Sequence, residues 1–232
     1  MPPPPTSPER LAVGVDAATL GGVRGWVAVG LRSGRFESAL FAATLLEVRQ
    51  HFGTEAVLGV DIPIGAATDT AERRCDAEGR ERLGRRRSTL YPIPPLAVLE
   101  EPDHARASAL CRQLTGKGVS RQSHGLRHRI LEALALADDP GLHEVHPELS
   151  FLALTGLDEL PPKRSWGGVS LRLEALESVG IQLPKELGEA GGAPVDDLLD
   201  AAIAAWTAQR IATGTAEALP ADAAPGESVI WI

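Results

Sequence analysis

Four aspartates have the residue type and spacing to hold a divalent cation. Asp16 and Asp61 each end a short apolar run that is typical of a buried strand, in the sequences VGVD and LGVD. Asp197 and Asp200 are three residues apart in an amphipathic segment, so a helix places both on one face. Neighbouring carboxylates repel, and Mg²⁺ or Mn²⁺ relieves this because hard cations take oxygen ligands. These four are our candidate catalytic and metal-binding residues, and Mg²⁺ or Mn²⁺ is the expected cofactor.

Each aspartate also has an ordinary structural interpretation. An aspartate after a strand commonly forms a turn. Asp196 has the position of a helix N-cap, and Asp197 that of a first-turn acid stabilised by the helix dipole. Asp200 lies in the second turn of an alanine-rich helix, where neither explanation applies.

A second acidic segment is EVHPE at 144–148. Glu144 and His146 share one face of a short strand by period two, and Pro147 suits the first position of a helix. His146 is therefore either a general acid or base or the cap of that helix. Glu148 is either a further catalytic acid or an ordinary first-turn acid.

Basic residues are concentrated in the middle of the chain, above all at 73–87. The pairs Asp76–Arg80 and Glu78–Arg82 have the i, i+4 spacing of an ordinary solvated helix. The run of three arginines after Gly84 has no acids among them and favours contact with phosphate. The candidate nucleic-acid contacts are Arg73, Arg85, Arg86, Arg87, Lys117 and Arg121.

The elements that position these side chains alternate between strands and helices. Strands are predicted at 11–15, 26–31, 35–42 and 56–60, and helices at 44–52, 104–115, 126–137, 147–155, 170–179 and 196–213. Strands joined by a helical crossover lie parallel and are usually neighbours. Asp16 and Asp61 should therefore end at one edge of a mixed sheet, about 5 Å apart.

Composition limits the classes of protein. The chain has 232 residues, 44% hydrophobic and 23% charged, with a net charge of −8. This excludes a disordered, collagenous or disulfide-scaffold protein and a membrane span, while the acidic balance permits only a local basic patch. The two cysteines lack paired spacing, so a cytoplasmic location is expected. We expect a disordered Pro-rich tail at 1–10 and a single domain at 11–232.

Six short motifs in order resemble a family of predicted nucleases with the RNase H fold, catalogued as domain of unknown function 429. The motifs are GVDAA at 14–18, GVDIPIG at 59–65, RRCDAEGRERLGRRRS at 73–88, GKGVSRQS at 116–123, EVHPELSF at 144–151 and DDLLDA at 196–201, with Lys163, Gly167, Arg172 and IW at 230–231. The resemblance implies an α/β RNase H-like fold. Its mixed five-stranded sheet would carry helices on both faces and a helical, Arg-rich insertion at about 69–140.

The carboxylate layout is similar to that of RuvC-type Holliday junction resolvases, which carry an acid on the first strand, one on the fourth and an i, i+3 pair on the last helix. This similarity implies that Asp16, Asp61, Asp197 and Asp200 hold two metal ions for phosphodiester hydrolysis, with nucleic acid as partner. At the position of Asp61 the resolvases usually have glutamate, whose side chain is one methylene longer. Two alternatives are an actin-like nucleotide-binding enzyme, with DAATLGGVRG at 16–25 as phosphate loop, and an inactive binding protein.

Overall fold

A mixed sheet forms the centre of the protein. The computed structural model describes residues 10–65 and 72–232. Within these residues five strands form one sheet in the order β3-β2-β1-β4-β5. Their bounds are β1 Ala12–Leu20, β2 Val23–Arg32, β3 Arg35–Ala42, β4 Val57–Val60 and β5 Leu142–Glu144. β1, β2 and β3 are antiparallel neighbours, whereas β4 runs parallel to β1, and β5 runs parallel to β4.

Helices cover both faces of this sheet. The helices of the described residues are α1 Leu45–Phe52, α2 Arg74–Leu83, α3 Leu96–Glu100, α4 His104–Thr115, α5 Arg121–Gly125, α6 Arg127–Leu134, α7 Pro147–Thr155, α8 Trp166–Ser178 and α9 Val195–Thr213. On one face Val27 and Val29 pack with Ile203 of α9. On the other face Val13 and Val15 pack in one core with residues of α1 and α6. The predicted α/β fold class, consistent with an RNase H-like fold, is confirmed.

The Arg-rich middle of the chain is helical, as predicted. It contains α2 to α6 and a 3₁₀ helix at Gly84–Thr89. A short hairpin of β6 Ala218–Leu219 and β7 Ile230–Trp231 reaches the sheet through a bridge between Val145 and Trp231. The predicted tail at 1–10 lies outside the described residues apart from Arg10. In the part of the chain that is described, no helix combines the length and apolar character needed to cross a membrane.

Several boundaries differ from the sequence prediction, and two of the differences have a clear physical reason. Other differences include β2, which begins at Val23 rather than at 26, and α6, which ends at Leu134 rather than at 137. Asp16 does not end β1, because antiparallel pairing with β2 carries that strand on to Leu20. α8 begins at Trp166 rather than at 170, because the Ser165 hydroxyl accepts a hydrogen bond from the Gly168 amide and caps an earlier first turn.

Two glycines let α9 lie directly on the sheet. Gly14 of β1 and Gly59 of β4 are paired in the parallel register. A Cβ atom on Gly14 would lie 1.9 Å from the Ala201 carbonyl oxygen, and one on Gly59 would lie 2.8 Å from the Ala204 carbonyl oxygen. Only glycine permits this approach. The contact fixes the height of α9 above the strands, and Asp200 is the residue next to this contact.

Candidate metal centre

Three carboxylates meet where β1, β4 and α9 converge. One oxygen each from Asp16, Asp61 and Asp200 lies within 4.8 Å of the others. Asp16 lies in β1 where its parallel partner ends, and the Asp61 amide donates to the Val15 carbonyl oxygen at 2.9 Å. Asp16 and Asp200 are buried, and Asp61 is half-buried. Oxygen atoms at these separations fit around one hard cation with ligand distances of about 2.0–2.6 Å.

The electrostatics of this triad, defined as Asp16, Asp61 and Asp200, show a shortage of positive charge. Burial and the charges of Asp61 and Asp200 raise the pKa of Asp16 well above its usual value. Burial and repulsion from Asp200 raise the pKa of Asp61 to about 8. Burial also raises the pKa of Asp200, against the opposing effect of a lysine. Without a cation, the cluster therefore retains protons that ordinary aspartates lose near pH 4.

That lysine is Lys163, which the sequence indicated only through the family resemblance. Its Nζ donates to Asp200 Oδ2 at 2.6 Å and lies 3.6 Å from Asp196 Oδ2. The carboxylate charges raise the pKa of Lys163 although burial opposes this. One signal was available: 20 of the 23 basic residues are arginines, so a lysine inside a motif is unusual for this chain.

Asp197 lies on the wall of the same cavity but outside the triad. Burial and repulsion from Asp196 raise the pKa of Asp197 to about 6. The interpretation of Asp196 as the N-cap of α9 was wrong, because Pro194 occupies that position. Asp196 lies in the first turn, where its Oδ2 accepts a hydrogen bond from Arg164 Nε at 2.8 Å.

His146 and Glu148 line this cavity too, and both are engaged by other groups. His146 caps α7, since its Nδ1 accepts a hydrogen bond from the Leu149 amide at 3.4 Å. Burial lowers the pKa of His146 to about 4, so the imidazole is neutral. Glu148 Oε1 accepts from Arg86 at 2.7 Å and from Arg172 at 3.1 Å. The structure thus places Asp200, rather than Glu148, with Asp16 and Asp61.

The predicted nucleic-acid contacts divide into buried and exposed groups. The Arg73 side chain is only 6% exposed and binds both Asp76 and Glu144, so we omit it from the proposed contact surface. Asp76 therefore pairs with Arg73 and not with Arg80, the partner that the i, i+4 spacing predicted. Glu78 lies 3.8 Å from Arg74, while its predicted partner Arg82 pairs with Glu217. Arg86 lines the cavity. The exposed members are Arg85, Arg87, Lys117 and Arg121.

The lining of the cavity combines two kinds of side chain. Its volume is about 350 Å³. The triad, Asp197, Arg86 and Lys163 contribute charged groups, and a set of apolar and ring side chains contributes an apolar wall. That apolar wall, a name we keep below, consists of Tyr91, Pro92, Ile93, Pro94, Leu126 and Ile130. A cavity that is lined by both acidic and apolar side chains suits a ligand with a charged end and a ring or chain.

The fold and site define an α/β protein with a carboxylate cluster at the edge of its central parallel strands. Comparison with known families matches residues 14–224 to the family described as "Protein of unknown function (DUF429)", and the chain belongs to this family. No curated protein and no solved structure matches the chain.

Proposed function

We propose that the protein is a divalent-metal-dependent nuclease that hydrolyses phosphodiester bonds with Mg²⁺ or Mn²⁺ held by the triad. The observation that carries this proposal is the convergence of three buried or half-buried carboxylates within 4.8 Å on elements distant in the sequence. Burying such charges together is costly unless a cation compensates them.

The residues present fit such an ion. All three donors are carboxylate oxygens, the ligands that Mg²⁺ and Mn²⁺ prefer. Asp197, on the same cavity, supplies a fourth carboxylate for a second ion. When bound, the metal supplies a water of lowered pKa and stabilises charge on the leaving oxygen.

The chain's own residues then hold the substrate phosphate. Lys163 and Arg86 bring positive charge to the cavity that contains the triad. Glu148 acts as a positioning residue, because its bonds to Arg86 and Arg172 fix the Arg86 guanidinium beside the cavity. The exposed cations Arg85, Arg87, Lys117 and Arg121 are the proposed contacts for phosphates further along a nucleic acid.

Thermal unfolding with added Mn²⁺ tests the metal, and cleavage of DNA and RNA tests the reaction. We expect Mn²⁺ to raise the Tm of the wild-type protein and of Asp158→Asn, a matched change at an exposed site, but not of Asp200→Asn. Cleavage should require Mg²⁺ or Mn²⁺ and disappear in Asp200→Asn.

Two other outcomes would contradict the proposal. Stabilisation that requires a nucleotide as well as the metal would favour the actin-like alternative. Metal binding without cleavage of any DNA or RNA would favour a binding protein that lacks catalysis.

A further inference from the structure

We propose that the cavity beside the triad receives one unpaired nucleotide, with its phosphate at the triad and its base against the apolar wall. This inference rests on the proposed function and specifies the substrate class of the same site.

The size of the cavity sets the first limit. At about 350 Å³ it lies near the lower end of the range of about 300–1,000 Å³ for sites that enclose a small ligand. Enzymes that act on a nucleotide in such a pocket take it from a single strand or out of the base stack. A continuous duplex keeps its bases stacked and therefore cannot place one on the apolar wall.

The two kinds of side chain in the cavity match the two ends of a nucleotide. Lys163 and Arg86 line it together with the triad, which in the proposed function would bind phosphate through a metal. Tyr91, half-buried, and Ile93 and Ile130, both buried, lie on the apolar wall. A base has an apolar face that packs against such a wall, whereas a bare phosphate or a metal ion does not use it.

The Arg86 guanidinium has bonding capacity left for an anion. One terminal nitrogen donates to Glu148 at 2.7 Å and the other to the Leu160 carbonyl oxygen at 3.4 Å. Because a guanidinium has five N–H donors, each terminal nitrogen keeps one further donor. Arg86 is also 23% exposed, so a ligand in the cavity can reach it.

The aromatic content indicates one base rather than a series. Proteins that bind extended single strands stack successive bases on several aromatic side chains. This chain contains one tyrosine, Tyr91, which lies on the apolar wall. Trp166 is 86% exposed, lies at the start of α8 and does not line the cavity. One wall with one aromatic ring accommodates one base.

Calorimetric titration tests this inference without turnover. The wild-type protein with Mg²⁺ is titrated with a nucleoside 5′-monophosphate, the matching nucleoside and inorganic phosphate. We expect the monophosphate to bind at least tenfold more tightly than either part. Tyr91→Ala should lose about tenfold in monophosphate affinity. Tyr91→Phe, which keeps the ring, and Trp166→Ala, which removes an aromatic ring elsewhere, should bind as wild type does.

Cleavage products give the second arm of the test. Single-stranded oligonucleotides should be cleaved at least tenfold faster than blunt duplexes. Equal affinity for monophosphate and inorganic phosphate would overturn the inference even if nucleic acids are cleaved. Tyr91-dependent monophosphate binding without any cleavage would support the pocket and overturn the nuclease proposal. If Tyr91→Ala does not fold, the ligand series on the wild-type protein still decides.

Discussion

A buried and a half-buried acid, Glu144 and Asp61, lie at the ends of the neighbouring strands β5 and β4 in different electrostatic settings. At the end of β5, Glu144 accepts hydrogen bonds from Arg73 at 2.7 and 2.8 Å and from the Ile64 amide at 2.8 Å. The same guanidinium holds Asp76. At the end of β4, Asp61 instead lies beside Asp16 and Asp200, and within this triad Lys163 donates its hydrogen bond to Asp200.

The difference separates an acid with a structural partner from the acids of the proposed metal site. At Glu144, burial raises the pKa, but the Arg73 charge and hydrogen bonds oppose that rise. At Asp61, burial and a like charge act in the same direction and raise the pKa to about 8. A carboxylate cluster that the protein leaves short of positive charge is the better candidate for an exchangeable cation.

The largest effect is expected on the structural side of this comparison. Arg73→Gln should lower the free energy of unfolding by about 3–5 kcal/mol, because it leaves Glu144 and Asp76 buried without their cation. Chemical denaturation measures this. Arg85→Gln, at a side chain 88% exposed, is the control and should change stability by less than about 0.5 kcal/mol. If both changes have similar small effects, the ion pairs of Arg73 with Glu144 and Asp76 do not stabilise the fold.

On the functional side, loss of a triad carboxylate should remove metal affinity and spare the fold. Asp16→Asn and Asp200→Asn should each weaken Mn²⁺ binding by more than about 100-fold, beyond the usual cost of losing an outer-sphere partner. In metal-free buffer the stability of Asp16→Asn should be unchanged or higher, because one of the crowded like charges is removed. Asp200→Asn also loses the bond from Lys163, so Asp16→Asn is the variant that tests stability. Calorimetry measures the affinity. Metal binding lost in Glu148→Gln but kept in Asp200→Asn would move the third ligand to α7.

The raised pKa of Asp61 predicts how stability depends on pH in metal-free buffer. Between about pH 4 and the folded-state value of about 8, the folded protein holds a proton that the unfolded chain releases. Stability should therefore fall as pH rises through this window, with Asp61 contributing at most about 1.4 kcal/mol per pH unit. Denaturation at several pH values should give a shallower slope for Asp61→Asn. An identical slope would show that Asp61 ionises normally.

The smallest effect is expected from the exposed cations. Replacing Arg85 and Arg87 by glutamate should reduce the salt slope of nucleic-acid binding by about 0.9 for each lost phosphate contact. Binding measured at several salt concentrations gives this slope. Lys185→Glu, at an exposed lysine outside the proposed contacts, is the control. An unchanged slope would identify the arginines as an ordinary solvated face.

The sequence predicted the acids of the triad better than their partners. Asp16 and Asp61 follow from two strand patterns, and Asp200 from its place in an alanine-rich helix. Asp197 and Asp200 share a helix face, so periodicity alone does not show which of them joins the triad. The backbone contact between Gly14 and Ala201 lies next to Asp200, and this contact depends on the packing of α9. Lys163 and Arg73 reach their acids across 37 and 71 residues. Such contacts depend on how the loops and the insertion pack in three dimensions. They therefore produce no local pattern in the sequence.

The glycine contacts beneath α9 have a consequence for the energetics of ion binding. Because helix and strands touch through main-chain atoms at Gly14 and Gly59, the distance between the backbones that carry the carboxylates is fixed by direct contact. If the triad holds an ion as proposed, its backbone would be preorganised, and less of the interaction energy would be lost to ordering the protein. Selectivity among cations would then depend on ionic radius, since α9 has no room to move closer to the sheet.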